Sequence, residues 1–220
     1  MSLQEKLDAF KVQFTSQVPA EAVEAFERST RELIESGQAE RTLKAGDAAP
    51  SFVLHDPDGN PVALETLLAE GPVVVSFYRG AWCPYCNLEL QALEAVADDI
   101  RARGAQLVAI SLQNAAQSRK SQRENGLSFP ILSDVGGNVA DAFGLRWRVQ
   151  PYVQPVFRSF KVDLPSIHGD GQWNLPMPGR YVIDTDGTVA YAEVNPDYTR
   201  RPEPAELFPV LDALGASAAA

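Results

Sequence analysis

Cysteine is nearly absent from this chain: 220 residues contain two. A secreted fold stapled by disulfides would need several, spread along the sequence, so a disulfide scaffold is excluded. Histidine is equally scarce, with His55 and His168 alone. A four-coordinate zinc site would need both of them beside both cysteines, or four cysteines shared by two subunits, so no metal is expected. Positive charge is also short, at 19 Lys and Arg against 29 Asp and Glu, for a formal net charge of -10. Such a surface repels phosphate backbones and anionic lipid, which argues against nucleic-acid and membrane-surface partners. The Arg200-Arg201 pair is too short to reverse that. No run approaches the roughly 20 apolar residues that span a bilayer, and Met1 to Phe10 carries no signal-peptide core. A cytoplasmic location is expected. Phosphate-cradling glycine loops, paired-carboxylate motifs and internal repeats are missing as well, and no cofactor is implied.

What is present is ordinary globular composition, enough for one good core. Residues 3 to 15 are amphipathic at helical spacing. A second run from Pro19 aligns Val23, Phe26, Thr30, Leu33 and Ile34, with Gly37 at its stop. Residues 1–42 therefore read as an N-terminal helical extension. Its stripes pack against the body or a second subunit, which makes a homodimer an expectation, and no chemistry is assigned to it.

Residues 43–220 read as one α/β domain. A hairpin is expected from Phe52–Leu54 and Val62–Leu64 around Asp56-Pro57-Asp58-Gly59-Asn60, then a short helix over Glu65–Leu68. Val73–Phe77 is a continuous, largely β-branched run that suits a strand buried on both faces. A helix from Pro84 with Leu90, Leu93, Val96, Ala97 and Ile100 on one face runs to Gly104, and Leu107–Ile110 is the next strand. Helices over Asn114–Asn125 and Val139–Phe143, a strand over Pro130–Leu132, a hairpin of Tyr181–Asp184 with Thr188–Glu193, and a closing helix over Glu203–Leu214 complete the pattern. An Ala-rich tail beyond it is expected to fray. Residues 145–177, rich in proline and aromatics, break the periodicity and read as a long ordered loop that covers a site or makes an interface.

The two cysteines sit three apart, as Cys83-Pro84-Tyr85-Cys86, in the first βα turn of a β-α-β unit. A thiol attacks only as thiolate. With Pro84 at the first helical position, Cys83 is the N-cap and Cys86 lies in the first turn, so both sulfurs sit near unpaired backbone N–H groups and the positive end of the helix. One turn also brings them to disulfide distance, and rigid Pro84 fixes that geometry. Arg79 is a candidate extra cation, with a surface or ion-pair role as its alternative. Trp82 is placed to shield the pair from water or simply to pack. Tyr85 is expected partly exposed, with its hydroxyl free to donate. His55 reads as a solvated turn residue and His168 as part of the covering loop.

The segment Phe77-Tyr78-Arg79-Gly80-Ala81-Trp82-Cys83-Pro84-Tyr85-Cys86-Asn87-Leu88-Glu89-Leu90 resembles the signature of the peroxiredoxin-like branch of the alkyl hydroperoxide reductase/thiol-specific antioxidant family. Gly46-Asp47-Ala48-Ala49-Pro50 and Tyr181-Val182-Ile183-Asp184 extend the resemblance over about Ala45 to Leu214. It implies a thioredoxin-like fold, with a central mixed β-sheet flanked by helices, and thiol peroxidase activity on hydrogen peroxide or organic hydroperoxides, with a thioredoxin-like or other dithiol as reductant. By this resemblance Cys86 falls at the peroxidatic position, Cys83 replaces the family's threonine, and Arg79 replaces a proline. The peroxide-holding arginine is expected at position 178, which is Pro178, while Arg180 lies two residues late on the same strand face. A proline there resembles instead the cis-proline of thioredoxin-like reductases. Two redox readings follow: a peroxidase with Cys86 attacking and Cys83 resolving, or a disulfide oxidoreductase with Cys83 attacking and Cys86 resolving. Cys-Pro-Tyr-Cys also occurs in glutaredoxins, whose remaining glutathione-binding pattern is not visible. A redox-silent interaction module on the same fold is the reading of another class.

Overall fold

The structure, a computed structural model, describes residues 1–218. Its strands are β1 (Val53–His55), β2 (Pro61–Ala63), β3 (Val73–Phe77), β4 (Gln106–Ser111), β5 (Ile131–Ser133), β6 (Arg146–Arg148), β7 (Asn174–Pro176), β8 (Gly179–Ile183) and β9 (Val189–Val194). The helices are α1 (Leu3–Gln17), α2 (Ala20–Glu35), α3 (Leu64–Leu68), α4 (Pro84–Glu94), α5 (Ala97–Ala102), α6 (Ala115–Asn125), α7 (Asn138–Ala142), α8 (Gln154–Ser159), α9 (Leu164–His168) and α10 (Leu207–Ala218). Seven strands form one mixed sheet in the order β2-β1-β5-β4-β3-β8-β9, while β6 and β7 pair separately. β3 runs parallel to β4 and antiparallel to β8, and β4 runs parallel to β5. This is the expected α/β, thioredoxin-like layering of a central mixed sheet flanked by helices.

The sheet interior explains the β-branched run. All of β3 is buried, and its side chains alternate between two cores. Val74 joins Leu90, Leu93 and Ile100 on one face, with Leu207 and Leu211 of α10. Val73, Val75 and Phe77 join Leu33, Leu64 and Phe143 on the other. The strand thus ends in mid-core, and the chain that leaves it, residues 78–83, starts its turn already buried.

Three elements differ from the sequence expectation. The helix expected from Pro84 to Gly104 breaks at Val96, whose backbone turns at φ -118°, ψ 9°, and Asp98 and Asp99 occupy the first turn of α5. Acidic residues are favoured at a helix N-terminus, so this pair starts a new helix rather than continuing the old one. Residues 145–177, expected as one long ordered loop, carry secondary structure of their own. They fold as β6, α8, α9 and β7 around their own core of Val149, Val153, Phe157, Leu164, Trp173 and Leu175. The closing segment starts with a 3-10 turn at Pro204–Glu206 before α10, which runs to Ala218; the last two residues of the expected Ala-rich tail lie outside the described residues. No helix among the described residues is long and apolar enough to cross a membrane.

The N-terminal helices are built into the body. Ser2 caps α1 in a reciprocal box with Glu5, and Leu3 and Leu7 enter the core that holds both cysteines. Gln4 accepts from the backbone N–H of Arg201 and donates to the carbonyl of Thr199. Because Leu7 is fully buried there, Leu7→Ala should destabilise the whole protein by about 2–5 kcal/mol. Urea unfolding should show a lower midpoint in a single transition; loss of α1 alone, with the main transition unmoved, would contradict this packing.

Candidate active site

β3 delivers the chain to the site, and Gly80 lets it turn. Its φ is +149°, and a Cβ there would lie 2.4 Å from Trp82 Nε1 and 2.9 Å from Gln113 Oε1. Only glycine suits this backbone and this crowding. Gln113 accepts from the Ala81 N–H at 2.8 Å and donates to the Tyr78 hydroxyl, which donates in turn to Ser121. The loop is therefore held from below by a buried polar network. Cys83 follows as N-cap of α4, extended at φ -97°, ψ 107°, with Pro84 at the first helical position. Its carbonyl accepts from the Asn87 N–H at 3.1 Å.

Both cysteines are free and buried, at 1% and 0% exposure. Each faces its own arginine. Arg79 Nη1 lies 3.9 Å from Cys83 Sγ, and Arg201 Nη2 lies 3.6 Å from Cys86 Sγ. The two arginines differ in what else they meet. Arg201 pairs with Glu89, which also takes Arg180 at 2.8 Å, so one buried carboxylate is bracketed by two guanidinium groups. Arg79 has no carboxylate partner among the described residues. Its guanidinium carbon lies 3.9 Å from the centre of the Tyr198 ring, 4.9 Å from that of Trp82 and 5.8 Å from that of Phe157. Aromatic faces attract a cation but do not neutralise it.

Both sulfurs feel both arginines, and the hydrogen bond between the two thiols sets them apart. Burial pushes the Cys83 thiol up, but the hydrogen bond from the Cys86 thiol, the charges of Arg79 and Arg201 and the Cys86 backbone N–H outweigh it and bring Cys83 down to about 6. Burial pushes Cys86 up, and donating to the Cys83 anion holds it further up, well above the usual thiol range. The balance favours the anion on Cys83 and the proton on Cys86.

The sequence candidates divide accordingly. Arg79 is a buried neighbour of Cys83 rather than a surface residue. Trp82, half-buried, packs edge-on to Phe157 at 5.4 Å, so the 145–177 segment does cover the site. Pro84 is exposed and lines the pocket in front of Cys83. Tyr85 is not the partly exposed donor expected: it is buried between Phe10 and Tyr198, and burial raises its hydroxyl far above the usual range. Pro178 lines clefts beside Arg79 and Arg201, but its peptide bond is trans, so it is not the cis-proline of the resemblance. Arg180 is buried on Glu89 and bonds neither sulfur. His55 is exposed on β1; His168 is buried in α9, where burial lowers it to about 4. No cluster of three or more His, Cys, Asp and Glu suited to a metal occurs among the described residues.

Arg201, Glu89 and Tyr198 were missed. Glu89 was legible in principle, since three residues after Cys86 it shares a helix face. Arg201 and Tyr198 come from beyond β9 and carried no local signal. Glu89→Gln leaves two buried guanidinium groups facing each other and should cost about 3–5 kcal/mol. Urea unfolding measures it; a loss below about 1 kcal/mol, the range of exposed pairs, would show that the triad is not buried as described.

Comparison with known proteins places the fold in a family. The sequence model of the AhpC/TSA family matches residues 45–192. Peroxiredoxin Bcp of Escherichia coli is 33% identical over 149 residues, 68% of this chain and 84% of its own. The thiol-disulfide oxidoreductase ResA of Halalkalibacterium halodurans is 34% identical over 110 residues, 49% of this chain and 61% of its own. The crystal structure of peroxidoxin BcpB from Mycobacterium tuberculosis superposes with a TM-score of 0.62 at 27% identity, covering 79% of this chain and 97% of that one. With the match spanning the sheet, the cysteine pair and Arg180, the chain belongs to the AhpC/TSA family, in its peroxiredoxin branch.

Proposed function

We propose that this chain is a thiol-dependent peroxidase in which Cys83 attacks and Cys86 resolves. The observation that carries the order is Arg79: a buried cation with no carboxylate among the described residues, 3.9 Å from the Cys83 sulfur. Cys83 also forms part of the wall of an open pocket of about 220 Å³, which Cys86 does not line. The reaction then balances in three steps. The Cys83 thiolate attacks the terminal oxygen of the peroxide; an S–O bond forms, the O–O bond breaks, and the leaving alkoxide or hydroxide takes a proton from solvent. Arg79, at the sulfur, stabilises the charge as it passes to the leaving oxygen. Cys86 then attacks the sulfenic sulfur, giving up its proton to the departing hydroxyl, so that the S–S bond forms, the S–O bond breaks and water leaves. An external dithiol of the thioredoxin-like kind restores both thiols by exchange, with two electrons and two protons. A cytoplasmic setting, where such dithiols are kept reduced, suits this cycle.

Disulfide exchange is the second reading, and the likeness to ResA favours it. It uses the same order of attack, Cys83 on a substrate disulfide. Stopped-flow oxidation of the reduced protein by hydrogen peroxide, followed by tryptophan fluorescence, separates the two. In the peroxidase, oxidation persists in Cys86→Ser, which stops at the sulfenic acid, and disappears in Cys83→Ser. Slow oxidation of every form together with fast exchange on a disulfide that requires Cys83 would instead establish the reductase. Oxidation that survives in Cys83→Ser and vanishes in Cys86→Ser would reverse the assigned roles.

A further inference from the structure

Arg79 is 5% exposed, has no carboxylate partner among the described residues, and points Nη1 at the Cys83 sulfur. Its Nε–H is buried without a hydrogen-bond partner, and Trp82 Nε1 is a second buried N–H in the same condition. Both residues line the pocket of about 220 Å³ in front of Cys83. Apart from Cys83 itself, Arg79 is the one side chain of that lining, among the described residues, that carries charge. The carboxylates of Glu27 and Asp197 belong to the lining of the adjoining chamber instead.

Oxidation changes one half of the Arg79–Cys83 pair. Forming the Cys83–Cys86 bond removes two electrons and two protons from the thiols and leaves both sulfurs neutral. Arg79 keeps its charge, because a guanidinium does not give up its proton in a protein. The disulfide therefore leaves a buried cation facing a neutral sulfur, beside N–H donors already unmet, in the wall of a cavity open to solvent. A buried charge in that position is costly unless an anion joins it. We infer that disulfide formation turns the Arg79 end of this pocket into a binding site for small monocarboxylates, which the reduced protein rejects because the Cys83 anion occupies the cation. This rests on the Cys83–Cys86 disulfide of the reading above, but not on peroxide as its oxidant. One carboxylate matches one cation, and the bonds between them are charge-assisted. A ligand that binds only the oxidised form also holds the protein there: its equilibrium with a dithiol shifts toward disulfide by the factor 1 + [L]/Kd, where [L] is the free ligand concentration. Small acids would thus act as a brake on re-reduction.

Phenylacetate is the probe and phenylacetamide its uncharged counterpart. Diamide, a diazene that takes up the two electrons and two protons, supplies the disulfide without peroxide, and loss of titratable thiol verifies it. In isothermal titration the oxidised protein should bind phenylacetate, and the reduced protein at neutral pH should bind it at least about tenfold more weakly, the effect of one neighbouring charge. Phenylacetamide should show no such difference. The reduced form should gain affinity as pH falls through the Cys83 transition, since protonating that sulfur frees the cation while the probe stays ionised. At ten times its Kd, phenylacetate should move the equilibrium with dithiothreitol about elevenfold toward disulfide. Arg79→Met should abolish binding. The double variant Cys83→Ser with Cys86→Ser, whose neutral hydroxyls leave the cation unmet, should bind with no oxidant present. Circular dichroism checks folding; if Arg79→Met does not fold, the amide comparison and the double serine variant decide. Equal affinity of the two redox forms, equal affinity for acid and amide, or no binding to the oxidised protein overturns the inference. If diamide forms no disulfide, it fails together with the resolving role of Cys86, whereas failure of hydrogen peroxide alone to oxidise the protein overturns only the peroxidase reading.

Discussion

The site depends on a buried guanidinium that lacks a carboxylate. Burying a charge is costly unless something of opposite sign meets it. Around Arg79 the described residues provide aromatic faces and one sulfur, that of Cys83. The anion that faces Arg79 is therefore a Cys83 thiolate, whose own burial cost the cation helps to offset. The polypeptide supports this from both sides: Gln113 holds the loop through the Ala81 N–H, and Pro84 starts the helix whose first turn presents Cys86 to the same sulfur.

The second arginine works under a different constraint. Arg201 is paired with Glu89, which it shares with Arg180, so the cation that approaches Cys86 is already engaged with a carboxylate. Cys86 stays protonated and becomes the donor that steadies the Cys83 anion. Two cysteines on one helical turn are thus set apart by the hydrogen bond between them, while both arginines favour the anion. After oxidation the neutral Cys86 is the partner within reach, which suits a resolving role.

Much of the fold was legible because it rests on local pattern. The β-branched Val73–Phe77 run, the Pro84 helix start and both hairpins announce themselves in short windows. The cysteine pair and its place at a helix N-terminus were equally plain. What was not legible depends on chain segments far apart in sequence. Arg201 sits 115 residues from Cys86 and looked like half of an isolated basic pair. Tyr85 looked exposed because α1, which buries it through Phe10, carries no mark of its destination. The 145–177 segment looked irregular because its four elements are shorter than a period of either kind can reveal. The assignment of the attacking cysteine by family position pointed to Cys86, whereas the charge balance points to Cys83; that balance needs the coordinates of Glu89 and both arginines.

The central claim, that Arg79 makes Cys83 the resting thiolate, is tested most directly by thiolate absorbance at 240 nm as a function of pH. The measurement uses Cys86→Ser and the double variant Cys86→Ser with Arg79→Met, each compared with wild type. The account predicts a wild-type transition near pH 6, well below the ~8.5 of a free cysteine, since a lowered thiol loses its proton as pH rises through the lower value. Cys86→Ser, whose hydroxyl can still donate, should keep most of that lowering, and loss of Arg79 should move the transition up by about one to three pH units. A Cys83 transition that stays in place without Arg79, or a wild-type transition that belongs to Cys86, would contradict it.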